Sequence, residues 1–283
     1  IKCKMFSPIR PVLSTVQNNR DHRKICVIDG KVGFTGGINL ADEYINKKER
    51  FGYWKDTAVM LQGDAVQSLT MMFLQMWNAT ELLPEQYESY LTDMSTELKR
   101  ELGFVIPYAD SPYDHENVGE EVYCHILNHA KKYVHIMTPY LILDREMLDA
   151  LCRAAKSEID VKIIMPHIPD KWYAFAVAKT YYEELIEAGV KIYEFTPGFV
   201  HAKIFVSDDD TATVGTINLD YRSLFLHFEC GTFIYNNPIV HDVEADFQKT
   251  LTQCERVSVA DVKKISPFMF ICGRVLRLIA PLM

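Results

Sequence analysis

Residues 22–40 read HRKICVIDGKVGFTGGINL, and residues 201–219 read HAKIFVSDDDTATVGTINL. The two stretches align without a gap at one constant offset. Each contains His-x-Lys, then four residues and an Asp, and further on Gly-x-x-Asn. One such element would be weak evidence, because three fixed positions recur by chance. Two copies in register, with the same Gly and Asn beyond them, indicate an internal duplication.

The duplicated residues are chemically suited to a phosphate group. Residues two apart in a strand face the same side, so each half is expected to present an imidazole beside a lysine, with an Asn amide beyond a glycine. Lysine supplies point charge and the amide supplies neutral donors. One imidazole would attack phosphorus and the other would protonate the leaving oxygen, and no metal is needed because the lysines supply the positive charge. The candidates are His22, Lys24, Asp29 and Asn39 in the first half, and His201, Lys203, Asp208 and Asn218 in the second.

Composition indicates an ordinary globular protein. The chain has 283 residues, enough for about two domains, and a net charge of −8. No apolar stretch approaches the ~18 residues of a membrane-spanning helix. Seven cysteines without C-x-x-C spacing favour reduced thiols over a disulfide scaffold or a zinc finger. Residues 1–56 hold eleven Lys/Arg and six acids, which favours a focused anion site over a nucleic-acid surface, with a solvated charged face as the alternative.

From about Phe104 onward, β-type runs alternate with helical patterns, which predicts an α/β fold with a largely buried sheet. Asp144 is a candidate N-cap and Gly189 a candidate C-cap. Residues 65–77 carry an apolar stripe typical of a core helix. The apolar segment 268–283 is expected to pack on the domain as a helix, and the alternative is that it rests on a membrane surface. The predicted strands cover residues 132–136, 161–165, 190–195, 199–206 and 211–217, and the longest predicted helix covers 172–188.

The two H-x-K-x4-D elements resemble the phospholipase D superfamily, and finer motifs are similar to its bacterial cardiolipin synthase branch. The resemblance implies two pseudo-twofold-related domains, each a mixed sheet flanked by helices, over residues 1–98 and 99–283. It also implies that the first domain is shortened at its N-terminus, and that membrane helices precede this segment in a protein of the bacterial cell membrane. The motifs span the chain and are RDHRK (20–24), FTGGIN (34–39), YWKDT (53–57), TPY (138–140), GFVHAK (198–203), GTINLDYRS (215–223) and RLIAPL (277–282).

The resemblance also implies an activity and roles for the residues. A phosphatidyl group would pass from one phosphatidylglycerol to another through a phosphohistidine, giving cardiolipin and glycerol without a cofactor or metal. Analogy with related lipases favours His22 as the nucleophile over His201, although the sequence itself leaves both assignments open. The family places a carboxylate after each motif that orients the histidine of the other half, so Glu229 is expected at His22 and Asp56 at His201. Lys24, Lys203, Asn39 and Asn218 would hold the phosphate, whereas Asp29 and Asp208 belong to the catalytic motif but are expected mainly to support strand and loop.

Two positions depart from the family pattern. Gly37 stands where many superfamily members have Ser or Thr, as is usual in the first half of cardiolipin synthases, and His227 stands where Asn is more usual. Alternative functions are a phospholipase D-type hydrolase, transfer to another alcohol, a phosphodiesterase nuclease, or a non-catalytic lipid-binding module. The net charge argues against nucleic acid as a partner, and the two intact His-x-Lys pairs argue against a non-catalytic module. The oligomeric state and the acyl-chain preference are left open.

Overall fold

The computed structural model describes residues 1–7, 18–92 and 101–282. The fold is mixed α/β, as predicted, and the expected boundary between residues 98 and 99 lies outside the described residues. The helices are α1 (Ala65–Asn78), α2 (Val118–His129), α3 (Arg145–Lys156), α4 (Trp172–Ala188), α5 (Ile239–Leu251), α6 (Val259–Val262) and α7 (Pro267–Arg277). The strands are β1 (Ile25–Ile28), β2 (Val32–Gly36), β3 (Tyr53–Lys55), β4 (Ala58–Gln62), β5 (Phe104–Asp110), β6 (Tyr133–Met137), β7 (Leu141–Ile142), β8 (Asp160–Pro166), β9 (Lys191–Phe195), β10 (Gly198–Val200), β11 (Ile204–Ser207), β12 (Thr211–Gly215), β13 (Leu219–Asp220), β14 (Glu229–Tyr235) and β15 (Cys254–Arg256).

A large mixed sheet organises the second half. Its strand order is β15-β9-β8-β6-β11-β12-β14-β5. The central strands β6, β8 and β9 are parallel, and the strands on both sides of them are antiparallel. The central strands are rich in apolar residues because both faces of the sheet are covered.

A smaller sheet in the first half repeats part of the large one. Strands β1, β2 and β4 form an antiparallel sheet followed by α1, just as β11, β12 and β14 are followed by α5. The register within the two hairpins is the same, since Ile25 pairs with Thr35 and Ile204 pairs with Val214. The sequence duplication is therefore a structural one.

Two buried clusters fix the position of the halves. One lies between the large sheet and helices α2, α3 and α4. The other lies on the opposite face of that sheet, where α5 and the first half pack side by side. There Leu61, Val66 and Leu69 of the first half share one core with Val206 and Val214 of the second. Burial of apolar surface, at about 25 cal/mol per Å², therefore holds the two halves together as well as each half internally.

The predicted helix ends agree with the structure. The side chain of Asp144 accepts hydrogen bonds from the backbone N–H of Glu146 and Met147 at the start of α3. Gly189 ends α4 in the left-handed conformation with φ 107°. The C-terminal α7 packs on α4, and a Cβ on Gly273 would lie 2.3 Å from the carbonyl oxygen of Ala176. Among the described helices, none is long and apolar enough to cross a bilayer.

One strand prediction was wrong. Residues 199–206 are not a single strand, because β10 ends at Val200 and β11 begins at Ile204. The interruption contains His201 and Lys203, and the equivalent residues of the first half also precede β1. The physical reason is that the histidine N–H groups bond across to the other half instead of joining the ladder of their own sheet.

Candidate active site

His22 is held by the second half through both its backbone and its ring. Its backbone N–H donates to the carbonyl of Phe228 at 2.9 Å. Its Nδ1 lies 2.8 and 3.0 Å from the two carboxylate oxygens of Glu229, the fully buried first residue of β14. The ring is thereby fixed with Nδ1 toward the carboxylate, so Nε2 is the nitrogen left for chemistry.

His201 is held by the first half in the same way. Its backbone N–H donates to the carbonyl of Lys55 at 2.7 Å, and its Nδ1 lies 2.8 Å from Oδ2 of Asp56. Strand β10, which leads into His201, runs parallel to β3, which leads into Asp56. Each histidine thus bonds to the residue just before a carboxylate and to the carboxylate itself. These contacts are the ones expected from the resemblance, and the roles of the carboxylates stay predictions.

Lys24 and Lys203 lie with the histidines although they are not paired on a strand. The ammonium of Lys24 donates to the backbone carbonyl of His22 at 2.5 Å, and that of Lys203 donates to the carbonyl of His201. Burial lowers the pKa of Lys24, and it lowers the pKa of the fully buried Lys203 to about 7. A substrate anion bound beside these buried ammonium groups would raise the lysine pKa again.

Both imidazoles favour the neutral form. Burial is the main cause of the lowered pKa of His22, and Glu229 opposes it. Burial and then the charge of Lys203 lower the pKa of His201 to about 3 against the opposing effect of Asp56. Burial would raise the pKa of Glu229, but the neighbouring His22 and Lys24 hold it well below its usual range. The site therefore combines neutral imidazole, a carboxylate at its back and buried ammonium groups.

The two asparagines have unlike surroundings. The amide of Asn39 donates to the hydroxyl of Tyr44 at 2.7 Å, and the Tyr44 ring packs against His201 with centroids 5.3 Å apart. Asn218 is buried, and its Oδ1 has no hydrogen-bond partner among the described residues. Sequence reasoning missed Tyr44, since nothing in the pattern marks a residue five positions after Asn39.

Gly37 and Thr216 occupy equivalent positions and differ for a steric reason. A Cβ on Gly37 would lie 2.1 Å from Oδ1 of Asp56, so the close approach of that carboxylate requires glycine here. At the equivalent place in the second half, the hydroxyl of Thr216 donates to Glu229. In the aligned repeat, Gly37 stands opposite Thr216, and this mismatch was the sequence signal of the asymmetry. The family resemblance identified the glycine as usual at this position but gave no steric reason for it.

Asp29 and Asp208 are not brought to the histidines. Both have positive φ, 53° and 55°, in the turns at the far ends of β1 and β11. The carboxylate of Asp208 accepts hydrogen bonds from the backbone N–H groups of Lys131, Lys132 and Tyr133 at 2.6 to 3.0 Å. A strand of about 3.3 Å per residue separates them from the histidines, which agrees with the expectation that they mainly support strand and loop. Their place in the catalytic motif stays a prediction.

His227 lies beside the first histidine. Its Nδ1 is 3.5 Å from Glu229 and has no hydrogen-bond partner among the described residues, and its ring centroid is 5.4 Å from that of His22. Within the described part of the chain, His22, His227 and Glu229 form the one group that could hold a metal ion, with ligand atoms within 4.8 Å of one another. The charge of Lys24 beside Glu229 opposes a dication there.

Known proteins resemble both the sequence and the fold. The family model for the cardiolipin synthase phospholipase D-like domain matches residues 123–251. An uncharacterized protein of Streptococcus mutans is 60% identical over all of this chain and 61% of its own length. A cardiolipin synthase of Halalkalibacterium halodurans is 38% identical over 98% of this chain and 55% of its own length. The chain thus spans between half and two thirds of these relatives.

A solved structure shows the same fold at lower identity. Phosphatidylserine synthase of Haemophilus influenzae superposes with a TM-score of 0.68 and 16% identity, over 93% of this chain and 70% of that one. The family-model match and the duplicated His-x-Lys elements indicate the same superfamily, and the solved structure supports the fold alone. The chain is similar to the phospholipase D superfamily, and nearly all of its length is similar in sequence to cardiolipin synthases.

Proposed function

We propose that this chain carries the catalytic centre of a phosphatidyltransferase that makes cardiolipin from two molecules of phosphatidylglycerol. The observation that carries the proposal is the crossed arrangement of the two halves. His22 contacts Glu229, and His201 contacts Asp56, so neither half has a complete histidine–carboxylate pair without the other. Two positioned imidazoles around one anion site suit a two-step displacement at phosphorus.

In the first step, one neutral imidazole attacks phosphorus with its Nε2. A nitrogen–phosphorus bond forms and the bond to the glycerol oxygen breaks. The second histidine, in its protonated form, gives its proton to that oxygen, and glycerol leaves. Because the pKa of each imidazole is lowered by burial, the negative charge of the bound phosphate is needed to favour the protonated partner.

In the second step, the histidine that gave its proton takes one from the hydroxyl of another phosphatidylglycerol. That oxygen bonds to phosphorus and the phosphohistidine bond breaks, which yields cardiolipin and restores both imidazoles. Lys24 and Lys203 neutralise the phosphate in both steps, and Asn39 and Asn218 add neutral contacts. Asp56 and Glu229 fix the tautomer of each ring and stabilise its charged form, as the aspartate does in hydrolase triads.

The organisation and location of the protein follow from the same proposal. Residues 1–98 and 99–283 act as the two halves of one site, and phosphatidylglycerol and membrane lipid are the partners. The protein works at the bacterial cell membrane, since its substrates are bilayer lipids. Cardiolipin synthases named among the relatives support this placement.

The test uses the full-length protein with vesicles of labelled phosphatidylglycerol. Cardiolipin and free glycerol in equal amounts are expected. Phosphatidic acid would show a hydrolase, and transfer to added serine would show another phosphatidyltransferase. The absence of turnover with folded protein would refute the enzyme proposal.

Three variants connect the turnover to the site. His22→Ala and His201→Ala should each abolish turnover, whereas His125→Ala should not, because His125 lies on α2 with its ring stacked on His129. A phosphohistidine is labile in acid, so the covalent intermediate is sought by alkaline quench. The histidine that carries the label in the quenched wild-type protein, located by peptide mapping, is the nucleophile, because loss of the proton donor would also slow labelling. Near-normal turnover in either active-site variant would refute the two-histidine mechanism.

A further inference from the structure

Helix α7 leaves an apolar stripe open to solvent. Phe268, Ile271, Val275 and Leu278 are 76%, 61%, 59% and 82% exposed. At 100° per residue these positions share one side of the helix. The opposite side, around Gly273, packs on α4. Much of the apolar surface of α7 therefore faces solvent, whereas a helix of a globular protein usually buries its apolar side against the core.

Positive charge accompanies this stripe in an otherwise acidic protein. From Val262 to the end of the chain there are four Lys/Arg and no Asp or Glu, whereas the whole chain has a net charge of −8. Arg274 is exposed and borders the stripe. Lys263 is also exposed in the turn that follows α6. An apolar stripe bordered by cations complements a surface with negative charge outside and hydrocarbon beneath.

Helix α7 runs alongside α4 in the same direction. Gly273 packs on Ala176 and Thr180, and Arg277 lies 3.9 Å over the ring of Tyr181, so contacts follow the same order along α7 and α4. Phe268 is thus on the side of the first turn of α4, where Trp172 is 63% exposed.

The start of α4 is joined to the site through Tyr140. The hydroxyl of Tyr140 donates to Asp170 at 2.6 Å, two residues before α4 begins. The hydroxyl of Thr138 bonds both the Tyr140 carbonyl and the backbone N–H of Leu219, which is the neighbour of Asn218. These contacts connect the start of α4 with Asn218. A partner that docks on α7 and Trp172 would therefore lie on the part of the fold that leads to the proposed phosphate-binding residues.

We propose that the exposed face of α7, together with Trp172, is an interfacial docking surface for a bilayer of anionic phospholipid. Phe268, Ile271, Val275 and Leu278 enter the boundary between head groups and acyl chains, and Arg274 and Lys263 contact lipid phosphates. The proposal rests on the proposed function in that the docked bilayer is also the source of substrate. It explains how an active site on a net acidic protein is held at a negatively charged surface.

Vesicle co-sedimentation of the 283-residue chain tests this without requiring turnover. Wild type is expected to bind phosphatidylglycerol vesicles more tightly than phosphatidylcholine vesicles. The double variant Phe268→Asp/Ile271→Asp should bind at least tenfold more weakly. Leu82→Asp/Leu83→Asp is the matched control, since these leucines are 99% and 88% exposed after α1, in the first half of the chain and not on α7. Equal binding by wild type and the α7 variant would overturn the proposal.

Two further measurements distinguish insertion into lipid from contact between copies of the chain. Phe268→Trp is conservative, and its fluorescence on vesicles should be quenched by brominated phosphatidylglycerol more than that of wild type. If light scattering shows that wild type is a dimer and the α7 double variant a monomer, with no change in vesicle binding, the face is an interface between copies and the proposal is wrong.

Turnover of monomeric short-chain phosphatidylglycerol separates a failure of membrane docking from a failure of the proposed catalytic function. The α7 variant should match wild type on the monomeric lipid and be slower on vesicles. If wild type turns over neither substrate but the variant still loses vesicle binding, the docking surface stands and the enzyme proposal fails.

Discussion

Replacing Gly37 by Ala should inactivate the site while leaving the fold intact. The new Cβ would lie 2.1 Å from Oδ1 and 3.0 Å from Cγ of Asp56, and 2.8 Å from the carbonyl oxygen of His201. Carbon–oxygen contacts below 3.0 Å are essentially never observed, so the Asp56 carboxylate must retreat by about 1 Å. Its 2.8 Å contact with Nδ1 of His201 would then exceed hydrogen-bond distance.

The size of the effect follows from what the carboxylate does for the imidazole. A displacement of about 1 Å in a catalytic group costs roughly 10²-fold, and complete loss of an orienting aspartate costs about 10⁴-fold. We therefore expect kcat to fall by about 10² to 10⁴, which is about 2.7 to 5.4 kcal/mol of transition-state stabilisation. The assay is turnover of labelled phosphatidylglycerol, with thermal unfolding measured on the same preparations.

Gly33→Ala is the matched control, because Gly33 lies on β2, which leads directly into Gly37. Its Cβ would lie 2.8 Å from the end of the buried Leu69 side chain and within 3.7 Å of Val66, so this variant tests a local packing change that does not touch Asp56. We expect near-normal turnover from this variant. The double variant Gly37→Ala/Asp56→Asn should be no slower than Asp56→Asn alone, since both changes remove one contact. If Gly37→Ala keeps activity within threefold of Gly33→Ala, the inferred role of the Asp56 contact is refuted.

Three other predictions concern the same site. In profiles of kcat/KM against pH on monomeric lipid, the acid limb should lie below pH 6.5, because the pKa values of both histidines are lowered. Activity should also fall as the pH rises through about 7, because Lys203 is protonated below that pH and neutral above it. A flat profile from pH 5 to 9 would contradict this. Asp208→Ala should lower the free energy of unfolding in urea by about 2 kcal/mol, because it removes hydrogen bonds to three backbone N–H groups. The kcat per folded molecule should not change. A loss of kcat with stability intact would give Asp208 a catalytic role. His227→Asn should change kcat by less than about threefold, because Nδ1 of His227 is 3.5 Å from Glu229 and makes no hydrogen bond to a described residue; a hundredfold loss would assign His227 a direct role.

Much of the fold was predictable because its signals are local. The N-cap at Asp144 and the C-cap at Gly189 depend on a few neighbouring residues, so the ends of α3 and α4 could be predicted from the chain alone. The break between β10 and β11 could not, since the apolar run from Phe199 to Val206 is equally compatible with one strand. Hydrogen bonds from the opposite half cause that break, and no local pattern reports them.

The duplication placed the functional residues but did not determine their neighbours. Aligning residues 22–40 with 201–219 identified both histidines, both lysines and both asparagines, because repetition in sequence is independent of how the chain folds. It also brought in Asp29 and Asp208, since a repeated spacing does not distinguish a turn residue from a site residue.

The sequence by itself determined that this protein has two matched halves, each with an imidazole and a lysine next to an apolar strand. The contact of each histidine with the carboxylate of the opposite half was expected from the family resemblance, not from the repeat itself, and the tertiary structure shows it. Only the tertiary structure decided that Gly37 leaves room for Asp56 and that α7 exposes the apolar side of its surface. The physical reason is separation along the chain. Caps, turns and repeats depend on residues close in sequence, whereas the pairing of His22 with Glu229 depends on the packing of two sheets against one core.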